Sequence, residues 1–149
     1  MACSDATSPS TSARPSRNEA AKRAADLFGI DIDVRYSNEL LPGQAGSTDS
    51  KTGLVEVGPA AFDDPGMLVS TLLHEEVHVS QRQSGNWGRS QINEVEAYDV
   101  ELSNAGRLKL SSEQIVDIQT VRNRYFNELD AGYKAQVRRG DYRTRASDL

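Results

Sequence analysis

The segment Ser70-Thr71-Leu72-Leu73-His74-Glu75-Glu76-Val77-His78-Val79-Ser80 constrains the chain most, because both of its two histidines sit there, four positions apart. On an α-helix, residues i and i+4 lie on one face about one turn apart, so the two imidazoles can converge on a single cation. Leu72, Leu73, Val77 and Val79 make the segment apolar on both sides of the pair, which predicts a helix sunk into the core. Buried imidazoles in such a helix need partners. A tetrahedral Zn²⁺ ion would take them as two ligands, leaving one more to come from the protein and one position open to water. Glu75, next to the first histidine, is placed to take a proton from that water.

With 149 residues, the chain is long enough for one domain that buries about two-thirds of its unfolded surface. Seventeen Lys and Arg against 22 Asp and Glu give a net charge of −5, which argues against a nucleic-acid partner. The charge is uneven: residues 49–101 hold ten acids and three bases, while 122–149 hold seven bases and four acids. An acidic centre suits a cation or a basic substrate segment. Cys3 is the only cysteine, which rules out an internal disulfide and a thiolate metal site. The opening MACSDATSPSTS has no apolar core of a signal peptide, and no apolar stretch approaches about 18 residues. A soluble protein, made without a secretory signal and not entering a membrane, is expected.

Residues 1–15 are rich in Ser, Thr, Ala and Pro and read as a disordered tail or linker. A single folded domain is expected over 16–140, followed by a loose tail over 141–149. Ser16 with Glu19 forms a capping box for a first helix, which Gly29 should end. Ile30 to Tyr36 alternates strictly and predicts a half-buried strand. Gln44 to Thr48 and Leu54 to Val57 should pair as a hairpin, with an exposed sheet edge where an extended peptide can dock. Asp64 as N-cap and Pro65 at the first helical position predict the start of the histidine helix, which should run to about Gln83. Trp87, the only tryptophan, falls in the next loop, where it caps the core or lines a pocket. A helix from about Gln91 to Ala105 follows, with Ser90 as cap and Gly106 as stop. A last helix opens on the capping box Ser111 and Gln114 and continues through Leu129 and Tyr133, with Gly132 as a late break. Arg138 and Arg139 suit the negative end of its dipole.

With both histidines spent, the third metal ligand must be an oxygen, and the helix after Trp87 offers Glu94, Glu96, Asp99 and Glu101. At about 100° per residue, Val95, Tyr98, Leu102 and Ala105 share one side, and Glu96 and Asp99 fall opposite, towards solvent. Glu94 and Glu101 lie at the edge of the apolar side, where a carboxylate needs a counter-charge such as a divalent cation or an arginine, Arg122 or Arg124. Glu94 ranks first and Glu101 second.

His74-Glu75-x-x-His78 followed by Glu94-Val95-Glu96-Ala97 resembles the gluzincin zinc metallopeptidases, in which an HExxH helix precedes a helix of the form E-x-x-A-[D/N]. The resemblance implies Zn²⁺ held by His74, His78 and Glu94, with Glu75 as general base of an endopeptidase. It implies an α+β, zincin-like fold over about residues 17–135. That fold has a small mixed or antiparallel sheet with an edge strand beside the HExxH helix, then the glutamate helix and a long C-terminal helix. Small versions of this layout resemble metallopeptidase domains of bacterial polymorphic toxins and type VI effectors. That likeness implies a protein or peptide substrate, delivery into a target cell and a cognate immunity or inhibitor protein. An intracellular regulatory metalloprotease cleaving a repressor-like protein, or a non-catalytic zinc-binding module, are the alternatives. Tyr98 departs from the family pattern, standing where Asp or Asn usually orients a histidine, and Asp99 is the substitute the sequence offers, in poor helical phase. Candidates to steady an oxyanion are Tyr98, Tyr125, Tyr133 or an arginine.

Overall fold

The computed structural model describes residues 14–64, 66–88 and 91–149. These form five α-helices and one three-stranded mixed sheet, an α+β arrangement. Most of the head expected to be disordered, together with Pro65 and Ser90, lies outside the described residues.

Helix α1 (Arg17–Phe28) begins with the capping box: Ser16 accepts from the Glu19 N–H while the Glu19 carboxylate accepts from the Ser16 N–H. It ends at Gly29 in the left-handed region. The Ile30 N–H returns to the Ala25 carbonyl, so residues after Gly29 complete the cap, and strand β1 is only Val34–Tyr36, shorter than the alternation predicts. Strands β2 (Gly46–Thr48) and β3 (Val55–Val57) form the expected antiparallel pair, with Ser47 opposite Glu56. β1 joins β3 in parallel, giving the order β1-β3-β2 and leaving β2 at an edge. A 3₁₀ turn, Pro59–Phe62, leads to helix α2 (Met67–Gln83).

The start of α2 corrects the sequence expectation. Its N-cap is Gly66, at φ 87°, with no side-chain cap, and Asp64 contributes only its carbonyl, to the Met67 N–H. A positive φ is cheap for glycine and costly for most other residues. Helix α3 (Gln91–Ser103) stops two residues short of the predicted end. Helix α4 (Ser112–Glu128) opens on the Ser111/Gln114 capping box as expected. The single long C-terminal helix does not form. Leu129 turns extended (ψ 147°) and buries its side chain, and Asp130 caps a separate helix α5 (Ala131–Arg138) by accepting from the Tyr133 N–H. An aspartate N-cap is worth about 1 kcal/mol, enough to favour a new start over continuation. Arg138 lies in the last turn of α5 and Arg139 caps it.

Two apolar clusters result. One gathers Ala21, Ala25, Ile30, Val34, Val55, Val57, Ala61, Leu72, Leu73 and Val79 from α1, the sheet and the back of α2. The other joins Ile92 and Val95 of α3 to Leu129, Tyr133 and Val137. Helix α3 packs against both α2 and α4, so it has more than one covered side. The segment after α5, read from sequence as loose, is tied back. Asn86 holds the Tyr142 carbonyl and the Thr144 N–H, Tyr142 donates to Asp99, and Tyr133 donates to Asp148. Among the described residues, no helix is long and apolar enough to cross a membrane.

Candidate metal centre

Helix α2 presents His74 and His78 on its face towards α3, both buried, with their Nε2 atoms 3.0 Å apart. Glu94, in the first turn of α3, brings one carboxylate oxygen to 3.3 Å from His74 Nε2 and the other to 3.3 Å from His78 Nε2. The three side chains form a group that can hold a metal ion. Around a tetrahedral ion with bonds near 2.0–2.1 Å, neighbouring ligand atoms stand about 3.3 Å apart. The two Nε2 atoms stand somewhat closer than that edge, and each faces a different Glu94 oxygen at it; with one atom taken from each residue, the three lie within 4.8 Å of one another.

Each histidine is held from behind. His74 Nδ1 lies 2.6 Å from Glu101 Oε1, and the other Glu101 oxygen accepts from Ser70 Oγ. His78 Nδ1 lies 2.8 Å from Gln81 Oε1; Gln81 in turn donates its amide to the Asn93 carbonyl at 3.0 Å and to Glu96 at 2.7 Å. Because both outer partners are acceptors, each Nδ1 carries a proton, which leaves Nε2 as the atom of each ring free to bind a metal ion once it is deprotonated. This is the tautomer a metal site requires. Burial opposes a charge on His74, but Glu101 and Glu94 outweigh it and raise its pKa to about 10. Burial would raise Glu94, yet His74 and His78 hold it well below the usual carboxylate range. Without metal, a proton on His74 therefore does the charge-balancing that a cation would do.

Glu75 is buried one residue beyond the first ligand and accepts from Thr48 Oγ1, on strand β2, at 2.6 Å. Tyr98 packs its ring on His74 at 4.6 Å and stacks with Tyr125 at 6.0 Å. Burial, then the charges of Glu94 and Glu101, push the Tyr98 hydroxyl well above the usual tyrosine value, so it stays a proton donor. Trp87 sets its ring edge-on to His78 at 5.0 Å, so the loop after α2 closes over the site. These side chains line a cavity of about 560 Å³, bounded by β2 on one side and by Ile118, Val121 and Tyr125 of α4 on the other.

The sequence candidates divide clearly. His74, His78 and Glu94 meet, with Glu75 beside them on the same cavity. Glu101, second choice as ligand, sits behind His74 instead, in the orienting role left open by Tyr98. Asp99 is elsewhere, bidentate with Arg122 at 2.8 and 3.1 Å; Arg122 is thus committed away from Glu94. Tyr133 belongs to the second apolar cluster, and among the described residues no arginine lines the cavity. Ser70, Gln81 and Thr48 escaped sequence reasoning. Helical arithmetic carries a signal for the first two: Ser70, His74 and His78 share the i, i+4 face, Gln81 lies two turns beyond His74, and Glu101 lies two turns beyond Glu94. Nothing local points to Thr48. No family model, curated protein or solved structure matches this chain.

Proposed function

We propose that this protein is a zinc-dependent endopeptidase of gluzincin-like layout, with His74, His78 and Glu94 holding the metal and Glu75 acting as general base. The observation that carries the reading is the convergence of one ligand atom from each of His74, His78 and Glu94, all within 4.8 Å of one another, beside a buried carboxylate in an open cavity. Two imidazoles and one carboxylate favour zinc over the harder magnesium or calcium. A bound zinc ion supplies Lewis acidity, polarising a carbonyl and acidifying water. Glu75 accepts the proton as water attacks the scissile carbon, then returns it to the leaving amine nitrogen. The protonated Tyr98 hydroxyl is available to donate to the developing oxyanion. Strand β2, which among the described residues pairs only with β3, lines the cavity and offers its other edge to an extended peptide.

The test combines metal analysis of purified protein with digestion of fluorescein-labelled casein, with and without chelator. Zinc near one per chain and chelator-sensitive cleavage are expected, together with loss of cleavage in Glu75→Gln while zinc is retained. Full cleavage by Glu75→Gln refutes the assigned base. A toxin or effector role rests on the family likeness and the Ser/Thr/Pro-rich head alone. It predicts that bacteria expressing the wild type grow more slowly than those expressing Glu75→Gln.

A further inference from the structure

The edge strand does more than border the cavity. Gly46 and Thr48 lie two residues apart on β2, so their inward positions share the face that packs on α2. Thr48 Oγ1 donates to Glu75 Oε2 at 2.6 Å, the length of a strong charge-assisted hydrogen bond. Gly46 lies against the other carboxylate oxygen: a Cβ built there would be 2.8 Å from Glu75 Oε1 and 3.0 Å from Glu75 Cγ. Glu75 is thus hydrogen-bonded to the strand through one oxygen, while the bare backbone of Gly46 leaves room for the other, and the strand is held in register by pairing with β3.

We propose that Thr48 is a positioning residue for the general base, fixing the Glu75 carboxylate to the strand along which substrate lies. The inference rests on the peptidase reading and adds a residue to it. A carboxylate on a flexible three-carbon side chain samples several rotamers, and proton transfer needs one of them. The Thr48 hydroxyl selects it and leaves the metal ligands untouched, since those are anchored separately by Glu101 and Gln81. It also ties the base to β2, so that base and peptide share one frame.

The test uses zinc-loaded full chain carrying Thr48→Val, which keeps the shape and removes the donor, and Thr48→Ser, which restores it. On labelled casein, Thr48→Val should lower kcat about 10- to 100-fold with KM little changed, and Thr48→Ser should recover most of the loss. Zinc affinity, read by competition with a chromophoric chelator, should stay within about twofold, because no ligand or its support is altered. A readout independent of activity is a urea-unfolding cycle of Thr48→Val, Glu75→Leu, which removes the acceptor, and the double variant, whose midpoint shifts should be non-additive. Unchanged kcat in Thr48→Val, a loss that Thr48→Ser does not recover, or additive midpoint shifts would each overturn the assignment. If the zinc-loaded wild type leaves casein intact, the peptidase reading itself fails, and the positioning role falls with it.

Discussion

Replacing Gly46 by alanine isolates the close approach of β2 to α2. The backbone of Gly46 is not in the left-handed region, so alanine meets no torsional penalty there. What it meets is side chain: the new methyl would stand 2.7 Å from Thr71 Cγ2 and 2.8 Å from Glu75 Oε1. Carbon atoms rest at about 3.5–4.0 Å, so the strand or the helix must give by about 0.8 Å. Overpacking of this kind costs about 1–3 kcal/mol. Against it, Gly→Ala restricts the unfolded chain and stabilises by about 0.4–1 kcal/mol. At mid-range the packing term wins, leaving a net loss of about 1.3 kcal/mol within a span of about 0–2.6 kcal/mol. Gly106→Ala is the matched control, because a Cβ there meets nothing within 4 Å and its φ is also outside the left-handed region. Urea unfolding should lower the midpoint of Gly46→Ala and leave that of Gly106→Ala unchanged or raised. Equal midpoints for the two variants would refute the packing of Gly46 on Glu75.

Two further outcomes follow from the supports behind the histidines. Gln81→Met removes the acceptor at His78 Nδ1 and the amide that donates to the Asn93 carbonyl and Glu96, and should weaken zinc binding about 10- to 100-fold in a chelator competition. In metal-free protein, His74 is raised from 6.5 to about 10, so its contribution to stability is complete below about pH 6.5 and is lost as pH rises through about 10. Glu94 is lowered, so its contribution is present above about pH 4.5 and is lost on acidification below that. The urea midpoint of metal-free protein should therefore fall on both sides of a window near pH 4.5–6.5, and zinc binding at neutral pH should release protons, measurable in weakly buffered solution.

Features that depend on a few consecutive residues were legible in the sequence. The i, i+4 histidines, the two capping boxes, the Gly29 stop and the antiparallel β2–β3 pair all arise from local geometry, and each stands as expected. The choice of Glu94 came from the edge of a helical stripe, and the structure brings that side chain to both imidazoles. The same one-sided stripe misjudged Glu101 and its neighbours. Helix α3 is covered by α2 and α4 together, so a carboxylate seven residues on can be buried behind a ligand. The late break expected at Gly132 falls earlier, at Leu129 and Asp130, and the return of residues 142–144 was invisible, for a similar reason: the partners, Ile92, Asn86 and Asp99, lie 37 to 58 positions away. Residue pattern alone determined that two imidazoles would share one face of a buried helix. Only tertiary packing decided which oxygens orient them and that Thr48 touches the base, because those contacts join elements whose spacing along the chain carries no information about distance in space.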